Sequence, residues 1–156
     1  MDSQCRFCKI AAGELQSWKV LEDDEYLAIL DAFPLVKGQT VVITKKHYSS
    51  YHFDLPDEVY EGLFLFAKKV GVVLDRGLGA RRTMLASQGY AIDHMHVKLF
   101  PVIKVNSTLV EQDTYDALRS KLDKDWYSGY IISMSGKEKA GEEELDAVLG
   151  EIKAKA

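Results

Sequence analysis

The first two-thirds of the chain contain five short runs of apolar and β-branched residues, which are separated by polar turns. Their composition and length are typical of β-strands. They are 20–22, Tyr26–Leu30, Thr40–Thr44, 83–86 and 94–100. The first two are joined by an acidic turn, which predicts that they lie side by side.

Between the third and fourth runs, the apolar spacing changes to that of a helix. Apolar side chains recur every three to four residues, which places them on one helix face. These positions are Val59, Leu63, Phe66, Val70 and Val73. The helix is predicted to begin near Pro56 and to end near Gly77. Strands, then a helix, then strands favour an α+β fold with a central antiparallel sheet.

The run 94–100 alternates polar and apolar side chains, a pattern typical of a half-buried strand. His94, His96 and Lys98 would then share one face, whereas on a helix residues two apart diverge. Two imidazoles and an ammonium on one face have the composition of a chemical site. For an isolated His-x-His pair, two satisfied surface histidines are the simpler interpretation.

After Pro101 the pattern changes again. Segment 108–122 is helix-like, 130–134 is strand-like, and Glu142–Lys153 has the pattern of a charged amphipathic helix. The lysines and glutamates of this part are expected to lie on solvated helix faces.

Length and composition predict one globular domain. The chain has 156 residues, of which 47% are hydrophobic and 28% charged, enough to bury a core. We expect a single domain over 1–156, with a core of about 5–101 and an extension, 102–156, packed on it.

The net charge and the lengths of the apolar segments limit the classes of binding partner that we expect. The formal net charge of −4 argues against a broad basic face for duplex DNA or an anionic membrane. No segment approaches the roughly 20 apolar residues that span a bilayer. The first residues lack the apolar run of a secretory signal, so we expect a cytoplasmic protein.

Cys5 and Cys8 are the two cysteines of the chain and form a CxxC pair. Such a pair is typical of half a zinc site or of a redox pair. The redox alternative normally follows a strand and opens a helix, but here only four residues precede the pair. A structural zinc site needs four thiolate and imidazole ligands. The available imidazoles are His47, His52, His94 and His96.

Several segments, taken together, carry a resemblance to a known family. They are Cys5-x-x-Cys8-Lys9-Ile10, then 20–24, 27–31 and 38–47, and finally the His94-x-His96 run that ends in Pro101. In this order they resemble the histidine triad (HIT) family of nucleotide-binding hydrolases and transferases. The resemblance implies an α+β fold with a central antiparallel sheet of about five strands and one long helix, often completed by a homodimer.

The resemblance also implies a structural zinc ion and a nucleophile. In zinc-containing members the ligands correspond to Cys5, Cys8, His47 and His94 of this chain. Such a closed set leaves no position open for a substrate. The second triad histidine corresponds to His96, which would attack the α-phosphorus and form a covalent nucleotidyl-histidine.

A nucleotide pocket follows from the same comparison. Asp31 matches the acid that accepts hydrogen bonds from ribose hydroxyls, and Gln39 stands where many members carry a histidine. The apolar positions around the base match Phe7, Ile10, Leu15 and Ile29. The simpler alternative is that Ile10, Leu15 and Ile29 are core residues and that Asp31 forms a turn.

The chain differs from the family pattern at two places, both on the catalytic side. Lys98 replaces the third triad histidine, and Gly89-Tyr90-Ala91 replaces the usual Gly-Gln-Ser/Thr. Lys98 would supply charge to a developing phosphorane and lower the pKa of His96. Alternatively, the protein binds nucleotide without fast turnover.

We therefore predict a zinc-containing hydrolase or transferase that acts on a nucleoside phosphoramidate or a nucleotide phosphoanhydride. The alternative is a catalytically weak, zinc-stabilised nucleotide-binding or regulatory module. A zinc-bearing nucleic-acid module is a further alternative, which the acidic charge disfavours.

Overall fold

The structure is a computed structural model, and it describes residues 4–89, 92–103 and 138–155. These residues form a five-stranded antiparallel sheet with helices on both faces, which confirms the predicted α+β class. The strands are β1 (Lys19–Glu22), β2 (Tyr26–Leu30), β3 (Thr40–Thr44), β4 (Arg82–Ala86) and β5 (His96–Val102). Their order across the sheet is β1-β2-β3-β5-β4. The helices are α1 (Arg6–Ala11), α2 (Asp57–Leu78) and α3 (Glu142–Lys153), with a 3-10 turn at His52–Asp54.

The two faces of the sheet pack against different helices. The face toward α2 and α3 carries Ala28, Leu30, Val42, Val97 and Leu99. The opposite face carries Leu27, Ile29, Val41 and Ile43, which pack against the segment containing α1. Because both faces are covered, β2 and β3 are buried along their whole length. Their nearly unbroken apolar sequences follow from this double burial.

The start of β5 differs from the prediction. The strand begins at His96 instead of His94, and it extends through Pro101 to Val102. The amide of Met95 donates to the carbonyl of Tyr48 at 2.9 Å, so a loop holds the residues before the strand. At the other end, pairing with β3 stops at Leu99, and β4 is the one described strand that flanks the proline. A proline is tolerated where a strand has lost one neighbour.

The end of α2 also differs from the prediction. The helix continues past Gly77 and ends at Leu78, and the next residue, Gly79, adopts the left-handed conformation with φ 62°. That conformation is the common C-terminal cap of a helix. Gly77 lies inside the helix because α3 crosses there: a Cβ on Gly77 would lie 2.7 Å from Cα of Ile152.

Helix α3 has the predicted bounds and closes one face of the core. It buries Leu145, Val148 and Ile152 in the cluster that contains α2. The indole Nε1 of Trp18 donates to Asp146 Oδ1 at 2.8 Å, which ties α3 to the segment before β1. These contacts agree with one domain and a packed extension. The division of the whole chain stays a prediction.

The predicted helix at 108–122 and strand at 130–134 lie outside the described residues. In the part of the chain that the structure describes, no helix is both long and apolar enough to cross a membrane.

Candidate functional site

The CxxC pair lies where α1 begins. Cys5 is the N-cap residue and Cys8 lies in the first turn, so the two side chains, three residues apart, share one side of the helix. Both are buried, with 8% and 2% of their surface exposed, and they form no disulfide. Phe7 and Ile10 anchor the helix on the sheet.

Two histidines from distant segments meet the cysteines. His47 follows β3, and His94 precedes β5. His94 Nδ1 lies 3.3 Å from Cys5 Sγ and 3.5 Å from Cys8 Sγ. His47 Nδ1 lies 3.4 Å from Cys8 Sγ and 3.3 Å from His94 Nδ1. The ligand atoms of all four residues lie within 4.8 Å of one another.

The four distances of 3.3–3.5 Å that involve the histidine Nδ1 atoms suit a tetrahedral metal ion. Zinc bonds to nitrogen and sulfur of about 2.0–2.3 Å imply ligand atoms roughly 3.3–3.8 Å apart. Two thiolates and two imidazoles are a standard ligand set for structural zinc. The four predicted residues are therefore grouped as a possible metal site.

The chain also orients one of the ligands. His94 Nε2 lies 2.7 Å from the carbonyl oxygen of Thr44, so Nε2–H donates and Nδ1 is left to face the cysteines. Burial lowers the pKa of His94, and the hydrogen bond to Thr44 opposes the shift. The neutral imidazole that a metal requires is thereby favoured.

His96 stands beside this group at the start of β5, with 9% of its surface exposed. Its Nδ1 lies 2.7 Å from the carbonyl oxygen of His94, so Nδ1–H donates and Nε2 carries the lone pair. Burial is the main cause that lowers the pKa of His96, and the charge of Lys98 lowers it further, while the hydrogen bond to the His94 carbonyl and the charge of Asp31 oppose the shift. A neutral imidazole with an unprotonated Nε2 is the form that acts as a nucleophile.

Lys98 and Asp31 form a largely buried ion pair on the same face of the sheet. Lys98 Nζ lies 2.9 Å from Asp31 Oδ2, and the same oxygen accepts Gln39 Nε2 at 2.7 Å. Asp31 Oδ1 accepts the amide of Phe33 at 2.9 Å, which closes the turn after β2. Gln39 Oε1 in turn accepts the amide of Leu35 at 2.7 Å.

The apolar residues assigned to the base pocket separate into two groups. Phe7, Ile10 and Ile29 are buried together on the α1 face, and the Phe7 ring lies 5.2 Å from the His96 ring, centroid to centroid. Leu15 is 40% exposed and belongs to neither core cluster, so the alternative that it is a core residue is wrong. The reason is local: α1 ends at Ala11, and Leu15 lies in the exposed turn that follows.

One supporting contact was missed by sequence reasoning. Asp93 Oδ1 accepts the amide of Ser50 at 2.8 Å and the hydroxyl of Ser49 at 3.0 Å. This joins the loop after His47 to the residue before His94. The two partners are 43 residues apart in sequence, and no local pattern pairs them. Tyr90 and Ala91, which depart from the family pattern, lie outside the described residues.

His52 takes no part in the site. It lies in the 3-10 turn, outside the four-residue ligand group. It is therefore a suitable control when the other histidines are substituted.

Comparison with known proteins places the chain in a family. A model described as the HIT domain matches residues 12–104, which include His47, His94, His96 and Lys98 but not the CxxC pair. The chain belongs to the histidine triad family.

Individual relatives agree with this assignment. A HIT-like protein of Borreliella burgdorferi is 36% identical over 107 residues, which are 64% of this chain and 76% of the relative. The adenosine 5'-monophosphoramidase of Saccharomyces cerevisiae is 30% identical over 114 residues, 70% of each chain. A hypothetical histidine triad nucleotide-binding protein of Sulfolobus tokodaii has the same fold, with TM-score 0.72, 24% identity, and coverage of 96% of this chain and 90% of that one.

Proposed function

We propose that the protein is a zinc-stabilised nucleotidyl hydrolase or transferase that works through a nucleotidyl-histidine on His96. The observation that carries the proposal is the 2.7 Å contact between His96 Nδ1 and the His94 carbonyl oxygen. In the neutral imidazole, which burial favours, this contact leaves the lone pair on Nε2. The similarity to the yeast phosphoramidase favours a nucleoside phosphoramidate as substrate over a nucleotide phosphoanhydride.

In the proposed reaction, His96 Nε2 attacks the α-phosphorus. A P–N bond forms to the imidazole as the bond from phosphorus to the leaving group breaks, and the leaving group departs with the electron pair and takes up a proton from solvent. A water molecule then attacks the same phosphorus and loses a proton to solvent, the P–N bond to His96 breaks with its electron pair returning to Nε2, and the nucleoside monophosphate is released. Splitting one displacement into two is the general advantage of covalent catalysis.

Cys5, Cys8, His47 and His94 would hold the zinc ion, whose contribution is structural because the four residues complete a tetrahedral set. His94 would link the two sites, because its ring would hold the ion and its carbonyl oxygen orients His96. Metal binding would thereby limit movement of the backbone to which the nucleophile is bonded.

The nucleotide would lie on the α1 face of the sheet, with the base against the small exposed fractions of Phe7, Ile10 and Ile29, which are 7%, 6% and 5% exposed. Leu15, which is exposed, would lie at the rim of this pocket. Asp31 would accept a sugar hydroxyl, and Gln39, 1% exposed and bonded to Asp31, would hold that carboxylate in place.

Lys98 has a smaller proposed role in the chemistry than its position in the triad suggests. Its ammonium lies 2.9 Å from Asp31 Oδ2, so its charge is partly balanced before a phosphorane develops. Losing one transition-state donor costs on the order of 10²–10³ in rate. This ion pair favours the second candidate function, a slow or inactive nucleotide-binding module.

We further propose that the protein is a cytoplasmic homodimer. Strand β4 has one neighbour in the described sheet, and Met84 and Leu85 on it are 56% and 43% exposed. An edge strand with exposed apolar side chains is suited to pairing with a second chain.

Hydrolysis of adenosine 5'-phosphoramidate tests the proposed function. We expect His96→Ala to lower kcat about 10³-fold or more while AMP still binds, because it removes the nucleophile alone. His52→Ala should keep wild-type turnover. Turnover that survives in His96→Ala would disprove the nucleophile, and a wild type that binds AMP without turnover would establish the binding module instead.

A further inference from the structure

We propose that Lys98 determines sugar specificity by occupying Asp31, so that the site binds ribonucleotides and 2'-deoxyribonucleotides equally well. The inference rests on the proposed function, in which Asp31 faces the sugar. It concerns how Lys98, which replaces the third triad histidine, affects the binding of the nucleotide, as distinct from the reaction.

The capacity of Asp31 to accept hydrogen bonds is nearly filled by the protein. A carboxylate offers about four acceptor positions, two on each oxygen. Lys98 Nζ and Gln39 Nε2 occupy Oδ2, and the amide of Phe33 occupies one position on Oδ1. Within the described residues, one position on Oδ1 therefore remains for a ligand.

The carboxylate is also held against rotation. Asp31 and Gln39 are 7% and 1% exposed, and Gln39 is fixed at its other end by the amide of Leu35. The side chain of Lys98 is 16% exposed and extends from the interior of β5, which pairs with strands on both sides at this residue. Turning Asp31 to offer Oδ2 to a sugar would break a charge-assisted hydrogen bond at a buried position.

One acceptor position matches one hydroxyl. A 2'-deoxynucleotide still supplies its 3'-hydroxyl, whereas a ribonucleotide brings a second donor for which Asp31 has no acceptor left. The 2'-hydroxyl should therefore add little to the binding free energy. Removing the ammonium would open the second position and restore a preference for ribose.

The test is calorimetric titration of AMP and 2'-deoxy-AMP into the zinc-loaded protein. For the wild type, we expect two dissociation constants within about twofold of each other. Lys98→Met, which removes the donor, should favour AMP about tenfold or more, because a hydrogen bond to a charged acceptor is gained. Lys98→Arg keeps a donor at Asp31 and should bind both ligands alike.

Lys69→Met is the matched control, since it removes an exposed lysine on α2, which packs on the sheet face opposite the α1 face. It should leave both dissociation constants unchanged. A wild type or Lys98→Arg protein that prefers AMP tenfold would overturn this inference and leave the proposed function intact, as would a folded Lys98→Met protein without preference. A wild type that binds neither ligand would overturn the proposed function, and this inference with it.

Discussion

At the scale of single residues, His94 joins two parts of the site. Its imidazole faces Cys5 and Cys8 through Nδ1, and its carbonyl oxygen accepts the Nδ1–H of His96. The proton on its Nε2 is engaged by Thr44. One residue thus connects the possible metal group to the proposed nucleophile, and its Nδ1, Nε2 and carbonyl oxygen atoms each make a different contact.

The first prediction concerns the metal ligands. We expect the wild type to carry about one equivalent of zinc, and Cys8→Ser to carry less than about half an equivalent, because the thiolate at this position is lost. His52→Ala should remain fully loaded. Metal analysis of the purified proteins provides the measurement, and a fully loaded Cys8→Ser protein would argue against this ligand set.

At the scale of elements, the crossing of α2 and α3 depends on one glycine. Gly77 lets the backbone of Ile152 approach, and a Cβ there would lie 2.7 Å from Cα and 2.9 Å from O of that residue. Gly71, six residues earlier on the same helix, has no neighbour among the described residues within 4 Å of such a Cβ. The two positions differ in packing and share the same helical backbone.

We therefore expect the same substitution to have opposite effects at the two glycines. Gly77→Ala should lower the free energy of unfolding by about 1–3 kcal/mol, because the backbones of α2 and α3 must move apart. Gly71→Ala should raise it by about 0.5–1 kcal/mol, because alanine is the better helix former. Urea unfolding followed by circular dichroism measures both, and equal effects would contradict the close crossing.

The elements also show which features the sequence can predict. Strands β2 and β3 have the expected bounds because their β-branched and apolar runs are buried on both faces. The interior position of Gly77 could not be predicted, since it depends on α3, more than 60 residues later in the chain. The local pattern alone made Gly77 a reasonable helix end.

The candidate site divides in the same way. The grouping of Cys5, Cys8, His47 and His94 could be predicted because the family resemblance links these positions. The Lys98–Asp31 pair could not, because the two residues are 67 positions apart and each has an ordinary surface interpretation on its own. Only the register of β5 with its neighbours shows that they meet.

At the scale of the whole molecule, the described core is closed by its last helix. Leu145, Val148 and Ile152 of α3 are buried in the same cluster as the inner faces of α2 and the sheet. The four possible metal ligands on the opposite face come from α1 and its N-cap, from the segment after β3 and from the segment before β5. Both features favour a chain that unfolds as one unit.

The corresponding prediction is that shortening one buried side chain of α3 lowers the stability of the whole fold. Ile152→Ala, at a fully buried position, should lower the free energy of unfolding by about 2–4 kcal/mol. Val72→Ala, at a position 42% exposed, should change it by less than about 0.5 kcal/mol. Unfolding should remain a single transition by fluorescence and circular dichroism. A separate transition for α3, or an unchanged stability, would mean that the extension is an independent part.

The most direct test of the account is to look for the nucleotidyl-histidine itself. Protein mixed with adenosine 5'-phosphoramidate, quenched in alkaline denaturant within milliseconds and weighed by intact-mass spectrometry, should gain the mass of one adenylyl group. Fragmentation should locate that group on His96, and His96→Ala should gain no mass. Rapid turnover with no mass gain at any quench time, or an adduct on another residue, would contradict His96 as the nucleophile.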